Sequence, residues 1–171
     1  AAKPLTDAVA RAQRLTDALD FGRAAPAWRE AARLAPRDPA ILKAWFESAR
    51  HHPGGEDFHG AARLIFKLPA TTDAERQLQL SSYRSYRQRA KPGMRISADT
   101  MHGLVRSFVR IGALPEAEKL CQSLQQASDH PHWPATLLLL VNGMAQSGQT
   151  QQARAWLPAL QRSEEHTSEL Q

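Results

Sequence analysis

Phe21-Gly22-Arg23-Ala24-Ala25-Pro26-Ala27-Trp28-Arg29-Glu30-Ala31-Ala32-Arg33-Leu34-Ala35-Pro36 is the stretch that decides the fold. Phe21, Ala24, Trp28 and Ala31 are separated by three and four residues, the steps that gather side chains on one stripe of a helix. Gly22 opens the stretch and Pro36 closes it. The same phrase returns as Phe58, Ala61, Ile65, Leu68, then as Leu114, Ala117, Cys121, Leu124, and finally as Thr150, Ala153, Leu157, Leu160. The small residue lets two helices approach, and the bulky one four positions on fills the space against the next pair. Successive alanines lie 37, 56 and 36 residues apart. A hairpin of two helices cannot bury its apolar face alone, whereas stacked neighbours share a core. The pattern therefore predicts stacked helical hairpins, with one unpaired extra helix in the long middle interval.

Punctuation outside the repeat agrees. A first helix is predicted over 5–19, with Thr6 as its N-cap and Leu5, Val9, Ala12, Leu15 and Leu19 inward. Asp38-Pro39 combines an N-cap with a proline in the first turn and opens a third helix with Leu42, Trp45, Phe46 and Ala49 inward. His52-Pro53-Gly54-Gly55 reads as a loop before a fourth helix over 58–68. Thr72 and Glu75 form a capping-box pattern that opens the extra helix, whose inner face is Leu78, Leu80, Tyr83 and Tyr86. Ser97 caps a sixth helix, and Gly112 closes it. The seventh runs to about residue 127, the eighth covers 135–146, Gly148 breaks it, and the ninth ends near residue 161. No segment alternates with the period of a half-buried strand.

Of the 171 residues, 42% are hydrophobic and 23% charged, the balance of a folded soluble domain. No run reaches the ~20 apolar residues that span a bilayer. One cysteine, Cys121, leaves no internal disulfide, and its place on an apolar stripe makes it a core residue. The last ten residues, Arg162-Ser163-Glu164-Glu165-His166-Thr167-Ser168-Glu169-Leu170-Gln171, resemble the codon-by-codon translation of a sequencing-adapter oligonucleotide. We expect them to be an artefactual tail on a repeat domain of residues 1–161, itself a fragment of a longer protein. The tail holds one Arg and three Glu, so removing it takes 22 basic and 17 acidic residues to 21 and 14 and raises the net charge from +5 to +7. That excess favours acidic or anionic partners.

The Ala24-x3-Trp28 phrase with Pro36 resembles the second-helix signature of tetratricopeptide repeats, and the later copies are similar to it. Ala12 conforms as well, while Phe46 stands where that family prefers a small residue. The resemblance implies an all-α, right-handed solenoid of antiparallel helix hairpins with about nine helices. It also implies a non-catalytic protein–protein interaction scaffold whose first helices line a concave groove for a peptide segment. Carried onto this chain, the groove positions are Lys43, Glu47, Arg50, His102, Arg106 and Asn142. A second resemblance attaches to Phe66-Lys67-Leu68-Pro69 among arginine-rich helices, a phrase similar to the soluble helical extension of bacterial rhomboid-type proteases. The catalytic Gly-x-Ser-Gly of that family does not occur here. This alternative implies an accessory domain of a membrane protein whose basic face lies near anionic lipid.

That basic face would be Arg84, Arg87, Arg89 and Lys91, interleaved with Tyr83 and Tyr86. A simpler arrangement packs the tyrosines inward and leaves the arginines solvated, where they complement the negative end of the helix dipole. His51, His52, Glu56, Asp57 and His59 are competent metal ligands without metal-site spacing, and His130 and His132 flank a stiff proline. No phosphate loop or nucleophile elbow is present. We expect no enzyme activity, no cofactor and no metal. The expected partner is a protein or peptide, with a membrane surface as the alternative and nucleic acid disfavoured. The expected setting is cytoplasmic, with any membrane association supplied by another part of the parent protein.

Overall fold

The structure is a computed structural model that describes residues 2–53, 55–89 and 95–170, with side chains through residue 165. Every regular element among them is helical. The α-helices are α1 (Ala2–Asp17), α2 (Phe21–Leu34), α3 (Pro39–Ala49), α4 (Glu56–Phe66), α5 (Asp73–Arg89), α6 (Ala98–Arg110), α7 (Leu114–Leu124), α8 (Trp133–Gln146) and α9 (Thr150–Leu170), with a 3₁₀ turn at Gln125–Ala127. No helix among the described residues is long and apolar enough to cross a membrane. The chain divides into two compact units, with the boundary in sequence between Arg95 and Ile96.

In the first unit each helix packs on the one before it, α1 on α2 through α4 on α5. The small residues expected at close approaches are there: Ala12, Ala24, Ala31 and Ala61 are fully buried. Gly60 serves the same end, because a Cβ there would meet the Trp45 ring at 3.2 Å. Phe46, Phe58 and Tyr86 stack in series, with ring centroids 4.9 and 5.9 Å apart. The extra helix α5 is not unpaired, since it packs on both α3 and α4. Gln79, buried on α5, donates Nε2 to the carbonyls of Ile65, Phe66 and Leu68 at 3.1, 3.4 and 3.2 Å. It thereby satisfies groups that the end of α4 leaves without intrahelical partners.

In the second unit α6 packs on α7 and α8, α7 on α8, and α8 on α9. Gly143 of α8 is the close approach, where a Cβ would meet Val109 Cγ1 at 3.0 Å and Leu114 Cδ2 at 3.2 Å. Gly112 and Gly148 take φ of 76° and 79°, which lets the chain leave α6 and α8 without strain.

Several boundaries differ from expectation. Helix α1 begins at Ala2, and Thr6 Oγ1 donates to the Ala2 carbonyl at 2.8 Å from inside the helix instead of capping it. Leu19 lies beyond the helix with φ 59° and is 72% exposed, so it is no core residue. Asp38 caps α3 as expected, accepting from the amides of Ala40 and Ile41. At α5 the capping box is split: Thr72 Oγ1 accepts from Glu75 N, but the Glu75 carboxylate reaches the amide of Thr71. Helix α8 starts at Trp133, inside the expected connector. Helix α9 runs past Gln161 to Leu170, so the adapter-like residues 162–170 are helical, and Ser163 is buried. The fourth copy of the stripe is also shifted. Ala153, Trp156 and Ala159 face inward, while Leu157 is 47% exposed.

Candidate peptide-binding cavity

The side chain that organises the first unit is Trp28. It is buried on α2, and its Nε1 donates to Thr16 Oγ1 at 2.8 Å. Thr16 in turn donates to the Ala12 carbonyl at 2.8 Å, so the indole is held by a hydroxyl that α1 has already oriented. One edge of Trp28 lines a cavity of about 730 Å³, whose wall also includes Gln13 and Thr16 of α1, Phe21 of α2, Ala44, Glu47 and Ser48 of α3, and Arg89 of α5. Arg50 and His51, just beyond α3, complete it. The His51 ring lies flat on Phe21, centroids 4.0 Å apart and planes 8° apart, and this stack forms an aromatic rim.

The charges in this cavity do not cancel. Arg50 and Arg89 oppose one carboxylate, Glu47, and no hydrogen bond or ion pair among the described residues ties Glu47 to either arginine. Arg50 Nε is buried and has no hydrogen-bond partner. A buried donor left unsatisfied costs about 1–3 kcal/mol, more when it carries charge.

The remaining groove positions are distributed differently. Lys43 is exposed on α3 and lines a separate hollow of about 540 Å³ with Thr72, Glu75 and Leu78. In the second unit Arg106 and Asn142 are exposed, but His102 is fully buried. Its Nδ1 lies 2.7 Å from Thr136 Oγ1, its ring stacks on His130 at 4.4 Å, and His132 is 5.9 Å away. His130 Nε2 meets Asp99 Oδ1 at 2.7 Å. Burial, with the neighbouring His130 and His132, pushes the His102 pKa down to about 4. This histidine therefore fastens α6 to α8 as a neutral ring and presents nothing to a groove. Matching helices by repeat length placed it outward, although α6 turns that side toward α8.

The basic stretch of α5 also divides. Tyr83 and Tyr86 are buried as expected. Arg87 is tied to Tyr83, donating to its hydroxyl at 3.1 Å with the guanidinium carbon 5.9 Å from the ring centre. Arg84 is exposed, Arg89 lines the cavity, and Lys91 lies outside the described residues. The histidine-rich loop is likewise occupied by packing. Asp57 accepts from Trp45 Nε1 at 3.1 Å and pairs with Arg29 at 3.3 Å, while His59 Nδ1 meets the Tyr86 hydroxyl at 3.1 Å. Among the described residues no three His, Cys, Asp or Glu side chains are gathered to hold a metal ion. Sequence reasoning missed Gln13, Phe21, His51 and Arg89 as members of one cavity. No local sequence pattern signals their gathering, because it depends on α5 packing on α3.

Comparisons with protein-family models, with curated proteins and with solved structures found no match to this chain.

Proposed function

We propose that the chain is a non-catalytic interaction scaffold, a tetratricopeptide-like solenoid of helix hairpins, that takes an acidic peptide segment of a partner protein. The observation that carries this reading is the buried, unpartnered Arg50 Nε beside Arg89 in the cavity floored by Trp28. An Asp or Glu side chain entering there would accept charge-assisted hydrogen bonds, about twice as strong as neutral ones. Glu47 makes the wall selective, because it repels a second carboxylate placed on its side. The aromatic rim of Phe21 and His51 offers apolar area to a residue flanking the acidic one.

The alternative of a basic face on anionic lipid is weaker. Arg87 is committed to Tyr83 and Arg89 to the cavity wall, so the arginines of α5 do not form one flat patch. The test is an array of twelve-residue peptides, Asp/Glu-rich and scrambled neutral, probed with the wild type and with Arg50→Glu. Retention of acidic peptides by the wild type alone supports the reading. Equal retention by both proteins removes it.

A further inference from the structure

Four times in this sequence an Asp or Glu stands three residues before an Arg: Asp20 and Arg23, Glu30 and Arg33, Glu47 and Arg50, Asp73 and Arg76. That spacing makes the two side chains neighbours on a helix surface, where opposite charges pair. Three of the four do so. Asp20 meets Arg23 at 3.5 Å, Glu30 meets Arg33 at 2.6 Å, and Asp73 meets Arg76 at 2.6 Å. Glu47 and Arg50 form no ion pair, with each other or with any other described residue. The backbone does not hold them apart, because Arg50 keeps helical angles at the end of α3, φ −58° and ψ −22°. Both line the Trp28 cavity instead.

The wall of that cavity is therefore polar along α3. Ala44, Glu47, Ser48 and His51 follow helical steps and form its α3 side. Arg50 lies three residues beyond Glu47, about 4.5 Å along the helix axis. Arg89, in the last turn of α5, adds a second guanidinium, and it too has no carboxylate partner among the described residues. A purely acidic occupant would meet the two guanidiniums and leave Glu47 facing like charge. An occupant with a cation close to its carboxylate meets all three.

We propose that Glu47 sets the specificity of this cavity, which takes a peptide segment of mixed charge. Its Asp or Glu faces Arg50 and Arg89, and a nearby Lys or Arg faces Glu47. The inference rests on reading the cavity as an acidic-peptide site and adds the second charge. In an extended segment, side chains on one side recur every two residues, about 7 Å apart. In a helical segment, residues three or four apart are neighbours at about 5–6 Å. The basic residue accordingly stands two to four positions from the acidic one. Bulk charge works against such a choice, since a chain of net charge +5 attracts the more acidic peptide more strongly at long range. A preference for mixed charge would thus report local pairing.

The test is competition fluorescence anisotropy of the full chain with twelve-residue peptides. One is Asp/Glu-rich; others carry a single Lys two, three or four positions to either side of a central Glu; controls carry Gln in place of that Lys. Wild type should bind the best Lys peptide up to about fivefold more tightly than its Gln control, the effect of one exposed ion pair. Glu47→Gln and Glu47→Ala should lose that preference while still binding the Asp/Glu-rich peptide. Both variants should fold, because Glu47 is exposed and bonds to no described residue. A wild type that binds every Lys peptide no better than its control overturns the proposal and leaves the acidic-peptide reading standing. A Lys preference that survives in both variants also overturns it and assigns the pairing to another carboxylate. Failure to bind any of the peptides overturns the acidic-peptide reading and this inference with it.

Discussion

Acidification should weaken the second unit through His102, and the sign and size follow from its burial. Folded, its pKa lies at about 4; unfolded, it returns to 6.5. Between those values the unfolded chain binds the proton that the folded chain refuses, so stability falls as pH drops from about 6.5 to 4. At 1.36 kcal/mol per pKa unit, lowering the pH from 7 to 5 removes about 2 kcal/mol, a factor of ~30 in the opening equilibrium. The groups around the ring are His130, His132, Asp99 and Arg106, and only Asp99 favours its protonation. Cys121 supplies the assay, because it is the lone cysteine and is fully buried in the same unit. Its labelling by 4,4′-dithiodipyridine, which reacts at acid pH, should be normalised to the urea-unfolded chain to give a protection factor at each pH. Wild-type protection should fall ~30-fold more between pH 7 and 5 than that of His102→Gln, which keeps a polar side chain without a titrating ring. An equal fall in both proteins would refute the reasoning and place the acid sensitivity in the carboxylates.

Other outcomes follow from the same packing. Trp28→Ala should cost about 3–5 kcal/mol in urea denaturation, as large core truncations do, and a loss below ~1 kcal/mol would contradict its place in the core. Trp28→Phe should cost about 1 kcal/mol, the worth of its bond to Thr16. Burial and Glu118 push the Cys121 thiol up to about 12, so the native protein should resist maleimide at pH 8 and react when unfolded. Ending the chain at Gln161 removes only Ser163 from the buried set of described side chains. Stability should then fall by less than ~1 kcal/mol in a thermal melt; a larger drop would mean that the adapter-like turns brace α9.

Much of the helical layout was legible because its punctuation is chemical. Asp38 before Pro39, Ser97 before α6, and glycines with positive φ after α6 and α8 each mark a boundary by a local preference. The three clear copies of the stripe were legible for the same reason, since small residues at fixed steps sit where helices touch. Thr6 misled because a threonine hydroxyl bonds equally well as an N-cap or back to the preceding turn, and only the backbone decides. The fourth copy misled because a four-residue step was imposed from Ala153, whereas Trp156, three residues on, reaches Glu118 at 2.7 Å and takes the inward place. His102 shows the limit for sites. Repeat register assigns a helix face, but whether that face meets solvent depends on which neighbour arrives. The cavity was legible in part: Glu47 and Arg50 were named from the sequence, while Arg89 comes from a helix whose docking on α3 no local pattern encodes.

The central claim, that the Trp28 cavity receives an acidic segment, is tested most directly by photo-crosslinking from inside it. p-Benzoylphenylalanine replacing Ala44, a wall residue on α3, should capture a partner from a lysate of the source cells. Mass spectrometry should map the adduct to an Asp/Glu-rich segment, and adding Arg50→Glu should abolish it. Adducts on neutral or basic segments, or adducts that survive Arg50→Glu, would contradict the account.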